Sequence, residues 1–264
     1  LALSLLANIG SAEMCQAVST EVQKIISQAT STNHTTPPKS HDQKTKSFDI
    51  HPLLLKTAAM ASVRIIEKVP ELAENFKQSV QKLLKHGSHG VVIAGINLMS
   101  HIIRYDPKLI QSFQRYVPAF TKILGQLSHS RPSNEFSFNI FNDPFLQIRL
   151  LQIIAKLDRS SDELDDVLEM ITTSSDFRRN TGRSILFQAV ETIVAAAKKP
   201  SLRCLAFSQV GRLFQFKESN VLYSALSLFS RVLYQGNEIV GRTSGDSIAL
   251  QRYKTQVVRC LNHR

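Results

Sequence analysis

The sequence predicts an all-α protein, a right-handed α-solenoid of HEAT/armadillo-like helical repeats. The first observation is a rhythm. From His51 onward, apolar segments of about 15 residues recur with helical spacing, and most neighbouring breaks lie 17 to 20 residues apart. A helix pair therefore takes about 37 to 40 residues, close to the period of HEAT and armadillo repeats. The second observation is punctuation: the breaks carry helix-starting chemistry such as Asp106-Pro107 and Asp143-Pro144, an Asp cap followed by Pro at the first helical position. The third is composition. Trp is absent and only 10 of 264 residues are Gly, which disfavours glycine-rich β architectures and phosphate-cradling loops. Stacked helical repeats offer long surfaces to partners and rarely an enclosed catalytic pocket.

Taken in order, Leu1 to Ile9 reads as the end of an apolar helix closed by Gly10, and Ser11 is placed to cap the next. Ala29 to Phe48 is rich in Thr and Ser with two adjacent prolines. It offers almost nothing to bury, so residues 29–48 are expected to be a disordered insertion. Its Asn33-His34-Thr35 matches a glycosylation sequon, read as a chance match. Pro52 suits a first helical position, and Leu54, Leu55, Ala58, Ala59, Ala61, Ser62, Ile65 and Ile66 form a face whose small residues permit close helix approach. Pro70 is expected to open the next helix, with Leu72, Phe76, Val80, Leu83 and Leu84 on one face. Val91 to Ile103 is apolar nearly all round, which predicts a helix covered on both sides.

Residues 128–142 are expected to form a loop whose Phe136, Phe138, Ile140 and Phe141 tuck partly against the helices. Ser160 and Glu163 have capping-box spacing ahead of Leu164, Val167, Leu168 and Ile171. Arg183 to Ala197, Pro200 to Phe216 and Val221 to Tyr234 are three further amphipathic segments. Residues 236–247 read as a polar link to a final helix at Gln251 to Arg264. The chain opens on Leu1 inside one helical pattern and ends inside another, which reads as a segment of a longer protein. No window reaches 18 apolar residues, so no bilayer-spanning helix is predicted, and a signal peptide is not evident.

No constellation in the sequence demands an enzyme. The phosphate-loop, nucleophile-elbow, H-E-x-x-H and C-x-x-C patterns are missing, and no catalytic residue, cofactor or metal site is assigned. His86 and His89 have H-x-x-H spacing but straddle a helix end around Gly87, and read as turn residues. His101 reads as a satisfied core or groove histidine. Asp162, Glu163, Asp165 and Asp166 lack the glycine-hinged spacing of a calcium loop. They read as first-turn acids that complement the helix dipole. Cys15, Cys204 and Cys260 are sparse, odd in number and flanked by apolar residues. They read as reduced, buried thiols in an intracellular compartment.

The formal charge is +11, from 32 Lys and Arg against 21 Asp and Glu. This suits an anionic surface such as lipid headgroups, nucleic acid or an acidic partner. A solvated surface with a basic bias is the plainer alternative. Arg178, Arg179 and Arg183 form the densest group, beside a helix start, and Lys198, Lys199 and Arg203 form a second at the next turn. Either both groups bind anions or both simply face solvent. Base-stacking aromatics are not interleaved with them, which counts against single-stranded nucleic acid.

Seven stretches resemble the trunk of the gamma-adaptins, large subunits of heterotetrameric clathrin adaptor complexes. They are LALSLLANIGSAEMCQAV (Leu1 to Val18), ASVRIIEKVPEL (Ala61 to Leu72), HGVVIAGINLM (His89 to Met99), NDPFLQIRLLQII (Asn142 to Ile154), NTGRSILFQAVETIV (Asn180 to Val194), SLRCLAFSQVGRLF (Ser201 to Phe214) and LQRYKTQVVRCL (Leu250 to Leu261). They run in the family's order almost end to end, and the DPFLQ segment is the most specific. The LRCLA and GRLF phrases favour gamma over the alpha and delta types. Three departures are the 29–48 insertion, a helix opening HPLLLKTAAMA without the family's basic pair, and a long link at 236–247.

The resemblance implies that residues 1–264 belong to one adaptin N-terminal trunk solenoid. It also implies a role in vesicle-mediated transport at trans-Golgi and endosomal membranes. The implied partners are the small, medium and beta-type large adaptor subunits, an Arf-family GTPase, a phosphoinositide membrane surface and sorting-signal cargo. Clathrin is expected to engage only regions that lie outside this segment, and no nucleic acid is expected. No individual partner-binding residue is assigned. The rival class is a HEAT-repeat nuclear transport receptor or nucleic-acid-associated scaffold, which shares the period but not this ordered set of segments.

Overall fold

A computed structural model describes residues 1–28, 51–129, 136–174, 178–238 and 244–261. The expected insertion at 29–48, with its sequon, lies outside them. The chain divides into two compact units, Leu1–Ser112 and Phe113–Arg264.

The first unit contains α1 (Ala2–Ile9), α2 (Ala12–Gln28), α3 (Pro52–Lys68), α4 (Lys77–Leu84) and α5 (His89–Tyr105). Gly10 closes α1 by donating its N–H to Leu6 O at 3.1 Å, and Ser11 Oγ accepts from Met14 N. Pro52 does open α3, and the preceding His51 Nδ1 accepts from Leu53 N at 3.2 Å. The small-residue face of α3 is buried at Leu55, Ala58, Ala59, Ala61, Ser62, Ile65 and Ile66. It packs against α5, α2 and α1, while α5 also takes α4 on its other side. Covering α5 on two sides explains why Val91, Ile96, Leu98, Met99 and Ile102 are all inaccessible. Each such side chain contributes about 1.5–3 kcal/mol of burial.

Pro70 differs from expectation. It opens two 3-10 turns, Pro70–Leu72 and Glu74–Phe76, and the α-helix starts only at Lys77. The tighter winding ends on Phe76, which is fully buried. The same device follows α5. Asp106 accepts from Lys108 N at 3.1 Å as expected, but Pro107–Leu109 is a 3-10 turn that leads into the four-residue α6 (Ile110–Phe113).

The second unit continues with a 3-10 turn at Gln114–Tyr116, then α7 (Val117–His129), β1 (Ser137–Phe138), β2 (Phe141–Asn142), α8 (Pro144–Leu157), α9 (Asp162–Ser174), α10 (Asn180–Ala196), α11 (Pro200–Leu213), α12 (Ser219–Glu238) and α13 (Ser244–Leu261). Apart from one tiny sheet, the described chain is helical, as an all-α reading requires. The expected loop at 128–142 is different in detail. Helix α7 runs to His129, and β1 pairs antiparallel with β2, Ser137 opposite Asn142 and Phe138 opposite Phe141. Asn139 takes the positive φ of 58° that the two-residue turn demands. Phe136 and Phe141 are half-buried, but Phe138 and Ile140 at the tip are exposed.

Asp143 caps α8 through a 3.0 Å bond from Leu146 N. The cap of α9 is Ser161, not Ser160: Ser161 Oγ accepts from Leu164 N at 3.2 Å. The expected link at 236–247 is also shorter, because α12 continues to Glu238 and α13 begins at Ser244. One Gly within a helix costs about 1 kcal/mol, too little to end a well-packed one. The core of this unit runs through Leu150, Leu151 and Ile154 of α8, Leu164 and Leu168 of α9, and Ile185, Leu186, Ala189 and Ile193 of α10. It ends in an aromatic group where Phe229 meets Phe207, Phe214 and Tyr253 edge-on, at 6.1, 5.8 and 6.5 Å between ring centroids.

Candidate functional site

The two basic groups that stand out in the sequence are built into the helix stack. Arg183 is nearly inaccessible, with 6% of its side chain exposed against 60% for Glu218. Its guanidinium donates to Glu218 through both terminal nitrogens, at 2.7 and 3.4 Å, and to Asn180 Oδ1 at 3.1 Å. It also sits over the Phe216 ring at 4.5 Å. A planar fork that is stacked and held by a carboxylate is a strut, not an open anion receptor. It ties the first turn of α10 to the turn before α12.

The second group meets the acidic cluster. Lys198 Nζ lies 3.2 Å from Asp162 and Lys199 Nζ lies 2.7 Å from Asp166. Asp165 is wholly buried, and its two carboxylate oxygens accept the backbone N–H groups of Lys198 and Lys199 at 3.2 and 2.9 Å. A carboxylate at that position satisfies amide groups at the start of α11 and complements its dipole. The Asp166 hydrogen bond raises the Lys199 ammonium above its ordinary value; desolvation opposes it, and the charges of Asp166, Asp165 and Glu169 reinforce it. Arg203 donates to Val194 O at 3.1 Å. The acids were therefore legible as first-turn residues, but their partners were not. The missed signal is spacing: Asp162, Asp165 and Asp166 precede Lys198 and Lys199 by 33 to 36 residues, about one repeat.

The histidines serve the backbone. His86 Nδ1 accepts from Ser88 N at 2.9 Å within the α4–α5 turn, and His89 is the first residue of α5. His101 Nδ1 bonds Asn97 O at 2.9 Å, and its Nε2 lies 3.5 Å from Glu67. Among the described residues, no three His, Cys, Asp or Glu side chains are grouped to hold a metal ion. Cys15 is buried as expected, whereas Cys204 is exposed on α11. Its neighbours in sequence are apolar, but it occupies the outer face. The side chain of Cys260 lies outside the described set.

Two open grooves mark the described surface. An apolar groove of about 590 Å³ runs between α1 and α2, lined by Leu3, Leu6, Ile9, Met14 and Val18 among others. A wider one of about 840 Å³ lies between α7 and α9, with Ala119, Gly125 and Val167 as its floor and Lys122, His129 and Glu163 at its rim. Small floor residues leave room for a partner side chain, and neither groove encloses a reaction centre. No helix among the described residues is long and apolar enough to cross a membrane.

Comparison with known proteins identifies the family. The family described as "Adaptin N terminal region" matches residues 47–259. The chain belongs to this adaptin family. It is 31% identical over 265 residues to the human AP-1 complex subunit gamma-like 2, across 99% of the chain and 30% of that protein. It is 31% identical over 266 residues to the Arabidopsis thaliana AP-1 complex subunit gamma-1, across 99% of the chain and 27% of that protein. The Dictyostelium discoideum AP-1 complex subunit gamma is 29% identical over 258 residues, across 96% of the chain and 25% of its own length. The chain thus spans 25 to 30% of the length of these curated relatives.

Proposed function

We propose that this chain is part of the trunk of a gamma-type large subunit of a heterotetrameric clathrin adaptor, acting in vesicle-mediated protein transport between the trans-Golgi network and endosomes. In this reading both compact units belong to one trunk solenoid. The trunk scaffolds the small and medium subunits and pairs with a beta-type large chain. It docks peripherally on the cytoplasmic face of an anionic membrane with an Arf-family GTPase and phosphoinositide, where sorting-signal cargo is gathered. The role is structural rather than catalytic. One observation carries the reading: the adaptin match over residues 47–259, together with AP-1 gamma relatives aligned over nearly the whole chain. The formal charge of +11 supports the membrane part of it.

The test is to tag the full protein in its own cells and identify what co-purifies. Beta-type large, medium and small adaptor subunits at equal stoichiometry are the expected result. Nuclear transport cargo or nucleic acid in their place would overturn the reading.

A further inference from the structure

We propose that one edge of the first unit, made by the start of α3 and the α4–α5 turn, is a docking surface for an anionic lipid bilayer. The proposal rests on the membrane-docking part of the function above and gives it a location.

The edge is defined by how α3 lies along α5. Lys56 lies against Gly90, Met60 Sδ accepts from Asn97 Nδ2 at 3.6 Å, and Glu67 faces His101 at 3.5 Å. The two helices therefore run parallel, and the first turns of α3 share an edge with the end of α4 and the start of α5. Lys56, Lys82, Lys85, His86 and His89 gather there. From His51 to Ile66 and from Lys77 to Tyr105 there is no Asp or Glu at all. Glu67 in the last turn of α3, and Glu71, Glu74 and Asp106 after the ends of α3 and α5, lie at the other edge. Among the described residues, the side chains of Lys56, Lys82 and Lys85 have no hydrogen-bond or ion-pair partner. This separates them from Lys198, Lys199 and Arg183, whose charges are consumed internally.

The second observation is apolar. Leu53 and Leu54, within one turn of Lys56, are 64% and 41% exposed. Leucines beside unpaired lysines match an interfacial surface: the apolar side chains enter the headgroup boundary while the lysine stems extend and their ammonium groups meet lipid phosphates. An acidic peptide would satisfy the charges but would need a groove to bury both leucines.

The test uses the full protein, purified with whatever subunits it brings from its own cells. Binding is read by co-sedimentation with phosphatidylcholine vesicles containing about 20% phosphatidylserine, against pure phosphatidylcholine. Two basic residues near an anionic leaflet are expected to matter by about tenfold or more. Lys82→Glu/Lys85→Glu should lower anionic-vesicle binding by at least that factor. Arg104→Glu/Lys108→Glu, an equal change of charge at the opposite edge, should leave it within about twofold. Leu53→Ser/Leu54→Ser should weaken binding even in salt that screens the charges. The milder Lys82→Gln/Lys85→Gln guards against misfolding, and thermal melting checks every variant.

Equal losses at both edges, or none at the α4–α5 turn, would overturn the proposal. So would unchanged vesicle binding with lost binding of a polyglutamate probe, which would assign the edge to acidic peptides. Failure of the adaptor reading itself shows in a different observable, the identity of the co-purifying subunits. Edge-dependent vesicle binding supports the docking surface whichever subunits appear.

Discussion

Asp165 caps a helix that begins 35 residues after it: its buried carboxylate accepts the N–H of Lys199 at 2.9 Å. Removing the carboxylate leaves two part-buried amides without their acceptor at the head of α11. Asp165→Ala should therefore cost roughly 2–4 kcal/mol, whereas Asp166→Ala, which breaks only an exposed ion pair, should cost below about 1 kcal/mol. Urea unfolding midpoints at unchanged slope measure both. Equal effects would mean that the buried cap contributes nothing special.

The Lys199–Asp166 pair has a pH signature of definite sign. The Lys199 ammonium is raised above its ordinary value of 10.5, so it is protonated more readily folded than unfolded. Its contribution is complete below about pH 10 and fades as pH climbs past the raised value. A Lys199→Gln protein should be less stable than the parent by a constant amount through neutral pH, and the two should converge in strong alkali. Divergence there would contradict the pairing.

Gly95 sets how near α5 comes to α4. A Cβ at that position would stand 2.9 Å from Leu83 Cβ, an atom that cannot swing away, whereas a Cβ at Gly87 would meet nothing within 4 Å. Gly95→Ala should destabilise by about 1–2 kcal/mol despite its better helix propensity, and Gly87→Ala should be neutral within about 0.5 kcal/mol. Paired thermal melts decide.

Gly211 does the same for α13. A Cβ there would collide with the Tyr253 ring, and an aromatic ring held among Phe214 and Phe229 has little freedom to retreat. Gly211→Ala should loosen α13 selectively. Amide exchange should accelerate across 244–261 and stay unchanged in α8 to α10. Uniform acceleration would count against a local effect.

Arg183 tests whether the strut needs its fork. Arg183→Lys keeps the charge but loses the two-nitrogen contact with Glu218 and the stacking on Phe216. It should cost about 1–3 kcal/mol, more than Glu218→Gln, whose side chain is largely solvated. The reverse order would show that charge alone holds the turn.

What was legible in the sequence was local chemistry. Asp106-Pro107, Asp143-Pro144 and His51-Pro52 could be read as helix starts because a cap and its amides lie within three residues. The face of α3 could be read because helical spacing alone selects it. Ser161 displaced Ser160 because the choice depends on where the first turn settles, which adjacent serines do not reveal. Helix α12 passed through Gly236 because one helical glycine costs only about 1 kcal/mol. The basic groups misled most. Whether Arg183 or Lys199 faces solvent is decided by residues 33 to 36 positions away, and no short motif records such a pairing. The basic edge at Lys82 and Lys85 drew no notice for the opposite reason: its signal is the absence of carboxylates over a long stretch, not a dense run of cations.

The contact between Asp165 and the residues after Ala197 also restricts how such a chain evolves. Asp162, Asp165 and Asp166 are each addressed to a turn about one repeat later, so these repeats are not interchangeable tiles. Substitutions can accumulate one by one, as 30% identity to distant relatives records. Loss of the α10–α11 pair, or insertion of a pair between α9 and α10, would strand a buried carboxylate opposite the wrong partner. The lineage is free to drift in spelling but not in the number of its words.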